Sequence, residues 1–169
     1  MLAEYEQWIS TADHDELLGN VEKLSELEIR PIKELRAAHH AKQLSWQAKT
    51  KAGTVGMTVH VEALKEADHT IQTPIVEESS RIRIRLGRRL IQPSQTPDIA
   101  YRELRNVRVW RVNVPANARQ KVARCHYLAI VPGKMIVISA TYLVDRPEQL
   151  DAFDASVATL VYREGESLK

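Results

Sequence analysis

Apolar residues recur along the chain with two different periods, and the change of period divides it. Leu2, Tyr5, Trp8 and Ile9 stand at helical spacing before residues 10–13 interrupt them. Asp13 followed by Glu16 reads as a capping box, and Leu17, Leu18, Val21, Leu24 and Leu27 make one apolar stripe behind it. The pattern predicts a short first helix and a second helix that ends near Ile29, since Pro31 drives Arg30 away from helical angles. Residues 32–41 fit either another helical turn or two or an extended segment, with helix preferred.

From Leu44 the period becomes two. Leu44, Trp46 and Ala48 alternate with polar neighbours, and after Gly53 the residues Val55, Met57, Val59, Val61 and Ala63 resume the alternation. This predicts a β-hairpin with Thr58, His60 and Glu62 on its opposite face. Residues 75–91 fit two templates: Ile75, Ile82, Leu86 and Leu90 align on a helix, whereas Ile82, Ile84 and Leu86 alternate with Arg81, Arg83 and Arg85. A strand over 81–86 is preferred, because β-branched residues and strict alternation agree there. Pro93 and Pro97 mark a loop, and residues 99–104 read as a short helix capped by Asp98.

In the last third, residues 107–114 read as a strand whose apolar frame slips between Val109 and Trp110, as a bulge would cause. Residues 122–131 and 135–144 read as strands joined through Val131, Pro132, Gly133 and Lys134. Pro and Gly there occupy the central positions of a type II turn. Residues 135–138 are apolar on both faces, which predicts a central strand covered by helices on at least one side. Asp145 with Glu148 makes a second capping box, and Leu150, Phe153, Val157, Leu160 and Val161 give a terminal helix its stripe. The predicted fold class is α+β in one domain over 1–169. An acidic helical segment (1–28) precedes an antiparallel sheet of about five or six strands with the C-terminal helix packed on it (44–162).

Composition narrows the reading. At 169 residues the chain is long enough to bury roughly 70% of its extended surface without disulfides or metal. No apolar run reaches the length of a bilayer span and no leader-like segment follows Met1, so a soluble, cytoplasmic chain is expected as the sequence is given. Cys125 is the only cysteine, which excludes an internal disulfide. The net charge of +2 conceals a strong segregation: residues 1–28 carry eight acids against Lys23, and residues 81–124 carry eleven Arg and Lys121 against Asp98 and Glu103. The acidic segment, or that of a second copy, is expected to cover the basic one; a solvated basic face and an external polyanion are the other readings.

No catalytic signature is present. Asp13, His14, Asp15 and Glu16 are consecutive, so they splay around a helix and read as capping groups. His60 and Glu62 share a strand face and would need His39, His40 or His126 as a third ligand to hold a metal ion; polar decoration of the sheet is the plainer reading. Cys125 and His126 are neighbours on a strand and point to opposite faces, so they cannot form a nucleophile and base pair, and Cys125 reads as a small core residue. No glycine-rich phosphate loop or nucleophile elbow exists. Arg81, Arg83 and Arg85 form a ladder with about 7 Å between neighbours, close to the spacing of phosphates on an extended strand. Pairing with carboxylates, or protection of a sheet edge, explains the same ladder.

The unit from 122 to 161, a strand, the Val-Pro-Gly-Lys turn, an apolar strand ending in Ser139, Ala140, Thr141 and Tyr142, then a capped helix, resembles the closing unit of the Mog1/PsbP-like group, which includes DcrB-like bacterial members. The resemblance covers about a third of the chain and implies an antiparallel sheet packed between helices. It further implies a small accessory protein acting through binding, as photosystem subunits, a GTPase-binding factor and chaperones for secreted effectors do in that group. The acidic opening and the missing lipoprotein leader depart from the pattern, and no functional residue is carried across.

Three functions are thus expected, in order. The first is a non-enzymatic accessory or protein-binding module without cofactor, with a homodimer as a corollary of the segregated charge. The second is a nucleic-acid or polyanion binder using Arg81, Arg83, Arg85, Arg88 and Arg89. The third is a metal-dependent enzyme.

Overall fold

A computed structural model of the chain describes residues 15–63 and 98–163, apart from positions 106, 115, 117 and 118. Ten strands and one α-helix occur among the described residues: β1 Glu22–Leu24, β2 Leu27–Ile29, β3 Arg36–Ala37, β4 Gln43–Thr50, β5 Gly53–Ala63, β6 Asp98–Leu104, β7 Val107–Val114, β8 Val122–Val131, β9 Lys134–Leu143, α1 Glu148–Val157 and β10 Val161–Tyr162. A seven-stranded antiparallel sheet runs β3-β4-β5-β9-β8-β7-β6, and a second sheet runs β1-β2-β10.

This overturns the α+β expectation with two N-terminal helices: the described chain is mostly β, and only the terminal helix is present. The leucines read as a helical stripe serve a hairpin instead. Leu24 pairs with Leu27 across a turn in which Ser25 adopts φ 55, and the chain reverses there. Leu27 and Ile29 are buried with Glu28 outside between them, a period of two enforced by pairing with β10. Before the hairpin only a single 3-10 turn forms, Asp15–Leu17. The first predicted helix and the strand over 81–86 lie outside the described residues.

Two further helix expectations fail for the same reason, the presence of a strand partner. Ile32 bridges to Leu18, and β3 pairs Arg36 with Gln47 and Ala37 with Trp46. Strand β6 pairs with β7 along its whole length, Asp98 to Asn113 through Leu104 to Val107. Nor is there a bulge in β7, whose register is continuous with both neighbours. Its apolar frame shifts because both faces are buried, Val107 and Val109 on one and Trp110, Val112 and Val114 on the other. Helix α1 begins after Pro147 without a side-chain cap, so Asp145 does not play the role its spacing suggested.

The alternating segments behave as their period predicts. β4 and β5 pair from Gln43–His60 to Thr50–Gly53, and β8 and β9 from Val122–Leu143 to Val131–Lys134. Gly133 closes the second hairpin at φ 73, the left-handed angle that a type II turn requires. One face of the large sheet carries Trp46, Met57, Val59, Tyr127, Ile136 and Ile138, packed with Leu27 and Ile29 of the small sheet and with Phe153 and Val157 of α1. The other face carries a second cluster around Trp110, Leu128, Met135 and Val137, whose described members all belong to the sheet.

Close packing of β4 on β5 depends on Gly56, where a Cβ would stand 2.2 Å from the Trp46 carbonyl oxygen and 2.8 Å from Gln47 Cα. At Gly133 a Cβ would meet nothing within 4 Å, so only the backbone angle opposes substitution. Gly56→Ala is therefore expected to lower stability by ~2 kcal/mol or more and Gly133→Ala by ~1 kcal/mol in urea unfolding. A Gly56→Ala protein as stable as the wild type would contradict the β4–β5 geometry.

Candidate functional site

Helix α1 is tied to the sheet by one buried carboxylate. Asp154 Oδ2 accepts a hydrogen bond from Arg111 Nη1 of β7 at 2.6 Å, and Asp154 Oδ1 accepts one from the Tyr127 hydroxyl of β8 at 2.6 Å. Asp154 is 2% exposed and Tyr127 fully buried. Burial pushes the Asp154 carboxyl up, and the Tyr127 hydroxyl and the Arg111 charge oppose that shift. Burial also raises the Tyr127 phenol well above its ordinary value. With both oxygens engaged, the buried carboxylate fixes the helix in place. Taking away Arg111 alone would leave a buried, half-partnered anion, a loss on the order of 3–5 kcal/mol.

The arginines Arg81, Arg83, Arg85, Arg88 and Arg89 singled out by the sequence lie outside the described residues. Of the described part of the basic stretch, two arginines turn inward. Arg111 meets Asp154, and Arg108, 6% exposed, meets Glu103 at 3.1 Å.

Several described acids of the N-terminal segment pair within the chain. Asp15 pairs with Arg30, Glu26 with Lys134 at 3.3 Å, and Glu28 with Lys23 at 3.4 Å and Arg163 at 3.0 Å. Glu22 lies 4.0 Å from His39. The Ser25 hydroxyl, with help from Lys134, holds the Glu26 carboxyl down to about 2, and Arg163 lowers that of Glu28. The cations that these acids meet among the described residues, Lys23, Arg30, Lys134 and Arg163, lie outside the central basic stretch, and any contact with residues 81–97 lies outside the described residues.

Five cations without an ion pair to a described residue stand at one end of the large sheet. Lys49 and Lys51 flank the tip of the β4–β5 hairpin. That tip abuts the start of β8, because a Cβ at Gly53 would touch Val122 at 3.1 Å. Lys121 precedes β8 and its carbonyl accepts the Val144 N–H at 3.0 Å, Arg124 stands opposite Thr141, and Arg146 follows β9. The side chains of Lys49, Lys51, Lys121, Arg124 and Arg146 form no ion pair with a described residue. Asp145 and Glu148 are the acids of the same β9–α1 connection.

On the second face of the sheet His60 Nε2 and Glu62 Oε1 stand 3.1 Å apart. His126 shares that face and bonds through Nδ1 to Ser139 Oγ at 3.0 Å, while its buried Nε2 has no hydrogen-bond partner. His39 Nδ1 accepts the Ser45 N–H, and His40 bridges to Gln43. No group of three His, Cys, Asp or Glu side chains converges on a metal position among the described residues. Cys125 is buried on the face opposite His126. No helix among the described residues is long and apolar enough to cross a membrane.

No family model matches the chain, and no curated protein matches it. A solved structure does. The chain is similar to cyanobacterial PsbP (CyanoP) from Synechocystis sp. PCC 6803, known from a solution structure, at 11% identity and a TM-score of 0.46 over 82% of this chain and 87% of that one. No residue role follows from a likeness at that level.

Sequence reasoning missed the Arg111–Asp154–Tyr127 contact and the orphaned His126 nitrogen. Arg111 and Asp154 are 43 positions apart and no local pattern joins them. Burial, aided by the Arg124 charge, pushes the His126 imidazole down from 6.5 to about 4. Between those values the unfolded chain binds a proton that the folded chain refuses. Stability from this group is therefore present above pH 6.5 and falls, by up to about 3 kcal/mol, as the pH drops towards 4. His126→Leu is expected to flatten the difference between urea unfolding free energies measured at about pH 7 and about pH 4.5. Equal pH dependence in the two proteins would show that His126 is not held neutral.

Proposed function

We propose that the chain is a non-enzymatic accessory module that binds a protein partner through segregated surface charge, its recognition surface being the basic end of the seven-stranded sheet. One observation supports the reading above all. The acids of the small sheet are consumed in pairs within the chain, whereas Lys51, Lys121 and Arg124 are exposed and unmatched on adjoining strand ends. A concentration of like charge costs self-repulsion in the isolated protein and is relieved by an acidic partner, which it also attracts over distance. Arg81, Arg83, Arg85, Arg88 and Arg89 are proposed to extend this surface. Glu26 and Glu28 are already paired within the chain, and the partner proposed is a different protein. A polyanion is the alternative occupant, favoured by the alternation of Arg81, Arg83 and Arg85.

Capture from a lysate of the native host tests the proposal. The wild type is expected to retain an acidic protein that salt releases, and a Lys51→Glu, Lys121→Glu, Arg124→Glu variant is expected to lose it. Equal retention by both proteins contradicts the assignment of the surface. Single-stranded DNA that binds at low salt and is released by Arg83→Glu would move the conclusion to the alternative.

A further inference from the structure

Strand β4 leaves one main-chain position open on its outer edge. Thr50 and Gly53 face each other across the two-residue turn Lys51–Ala52, and bonded pairs recur at every second residue of an antiparallel ladder. Thr50, Ala48, Trp46 and Leu44 accordingly bond to β5, while Ser45, Gln47 and Lys49 turn their N–H and C=O groups outward. Ser45 is satisfied there: its carbonyl accepts the Ala38 N–H at 2.7 Å and its N–H donates to His39 Nδ1 at 3.2 Å. Gln47 is opposite Arg36 of β3. Lys49 is next in the row, but β3 ends at Arg36, and the chain before it turns away through the Leu35 N–H to Ile32 carbonyl bond. No described residue takes the outward main-chain groups of Lys49.

The divergence opens a wedge. Next to Lys49 lies a groove of about 490 Å³ lined by Glu34, Arg36, Ala37, Gln47 and Ala48. Through Glu34 and Ala48 it continues into a cleft of about 250 Å³ floored by Leu35, Val55, Ala152 and Phe153, with Arg146 at its side. The charged lining is Arg36, Lys49 and Arg146 against Glu34 alone. None of these four forms an ion pair with another described residue.

We propose that this wedge receives an extended, acidic segment of the protein partner, which bonds through its main chain to the N–H and C=O of Lys49 and places one apolar side chain on Leu35, Val55, Ala152 and Phe153. An open edge position supplies main-chain bonds, a neighbouring apolar pocket selects a side chain, and the cations select acidic flanking residues. The inference rests on the accessory reading and names the form of the partner at its point of contact.

The probe is a capped six-residue peptide alternating aspartate and leucine, titrated against the full chain by NMR, with a lysine and leucine peptide of equal length as control. The acidic peptide is expected to bind and the basic one to fail, with the Lys49 and Ala152 amides among the most shifted. Proline is tolerated where an edge N–H faces outward, so Lys49→Pro removes the proposed donor without breaking the β4–β5 ladder. It is expected to weaken the peptide by about tenfold, the worth of a main-chain hydrogen bond, and Lys49→Gln to weaken it by less. Ala152→Trp, which fills the cleft, provides a second loss should Lys49→Pro misfold. An acidic peptide that binds both variants as it binds the wild type, or that does not bind the wild type, overturns the wedge. Retention of the native partner by Lys49→Pro and Ala152→Trp would also overturn it while leaving the accessory reading intact. Peptide binding without any captured partner would instead remove the accessory reading and keep the wedge.

Discussion

Strand β9 lies fourth of seven, with Ile136, Ile138, Ala140 and Tyr142 buried on one face and Met135 and Val137 buried on the other. A strand in that position must satisfy its backbone on two sides and its side chains on two faces at once. Each aliphatic side chain so buried contributes about 1.5–3 kcal/mol, and a slip of one residue would exchange the two rows. The register with β5 and β8 is consequently fixed, and the rest of the fold is hung from it. Tyr127 stands opposite Ile138 in β8, which brings its hydroxyl under α1.

The polar groups of the molecule divide according to their distance from that centre. Asp154, Arg111 and Tyr127 form a buried set under the helix in which both carboxylate oxygens of Asp154 are paired, while Arg111 Nε has no hydrogen-bond partner among the described residues. The acids of β1, β2 and their turn meet Lys23, Lys134 and Arg163 at half-exposed positions, where each pair contributes little to stability and serves mainly to neutralise. At the β4–β5 hairpin tip and along part of the outer edge of β4, charge and main chain stay open among the described residues. A rigid centre with open edges suits recognition, since the binding groups are already ordered before a partner arrives.

Legibility in the sequence followed the range of the interaction. The turn at Pro132 and Gly133 was readable because its demand on φ is local, β4 and β5 because their alternation is uninterrupted, and β8 and β9 because β-branched, apolar runs flank that turn on both sides. Residues 17–29 were misread because leucines at 17, 18, 24 and 27 satisfy a helical stripe as well as a hairpin, and the deciding left-handed turn falls on Ser25, a residue that does not announce it. Residues 98–104 look helical in isolation and become a strand through β7, a partner that periodicity alone does not reveal. The same holds for function. The segregation of charge was visible, but that the acids are spent on Lys134 and Arg163, and that β3 stops short of Lys49, are facts of tertiary structure.

The dependence of the whole molecule on β9 is tested most directly by native-state hydrogen exchange. Amides of β9 and of the β8 residues facing it should exchange last, at the free energy of global unfolding, while the outward Lys49 amide exchanges orders of magnitude faster. Protection of Lys49 equal to that of Ile136 and Ile138, or early exchange along β9, would contradict the account.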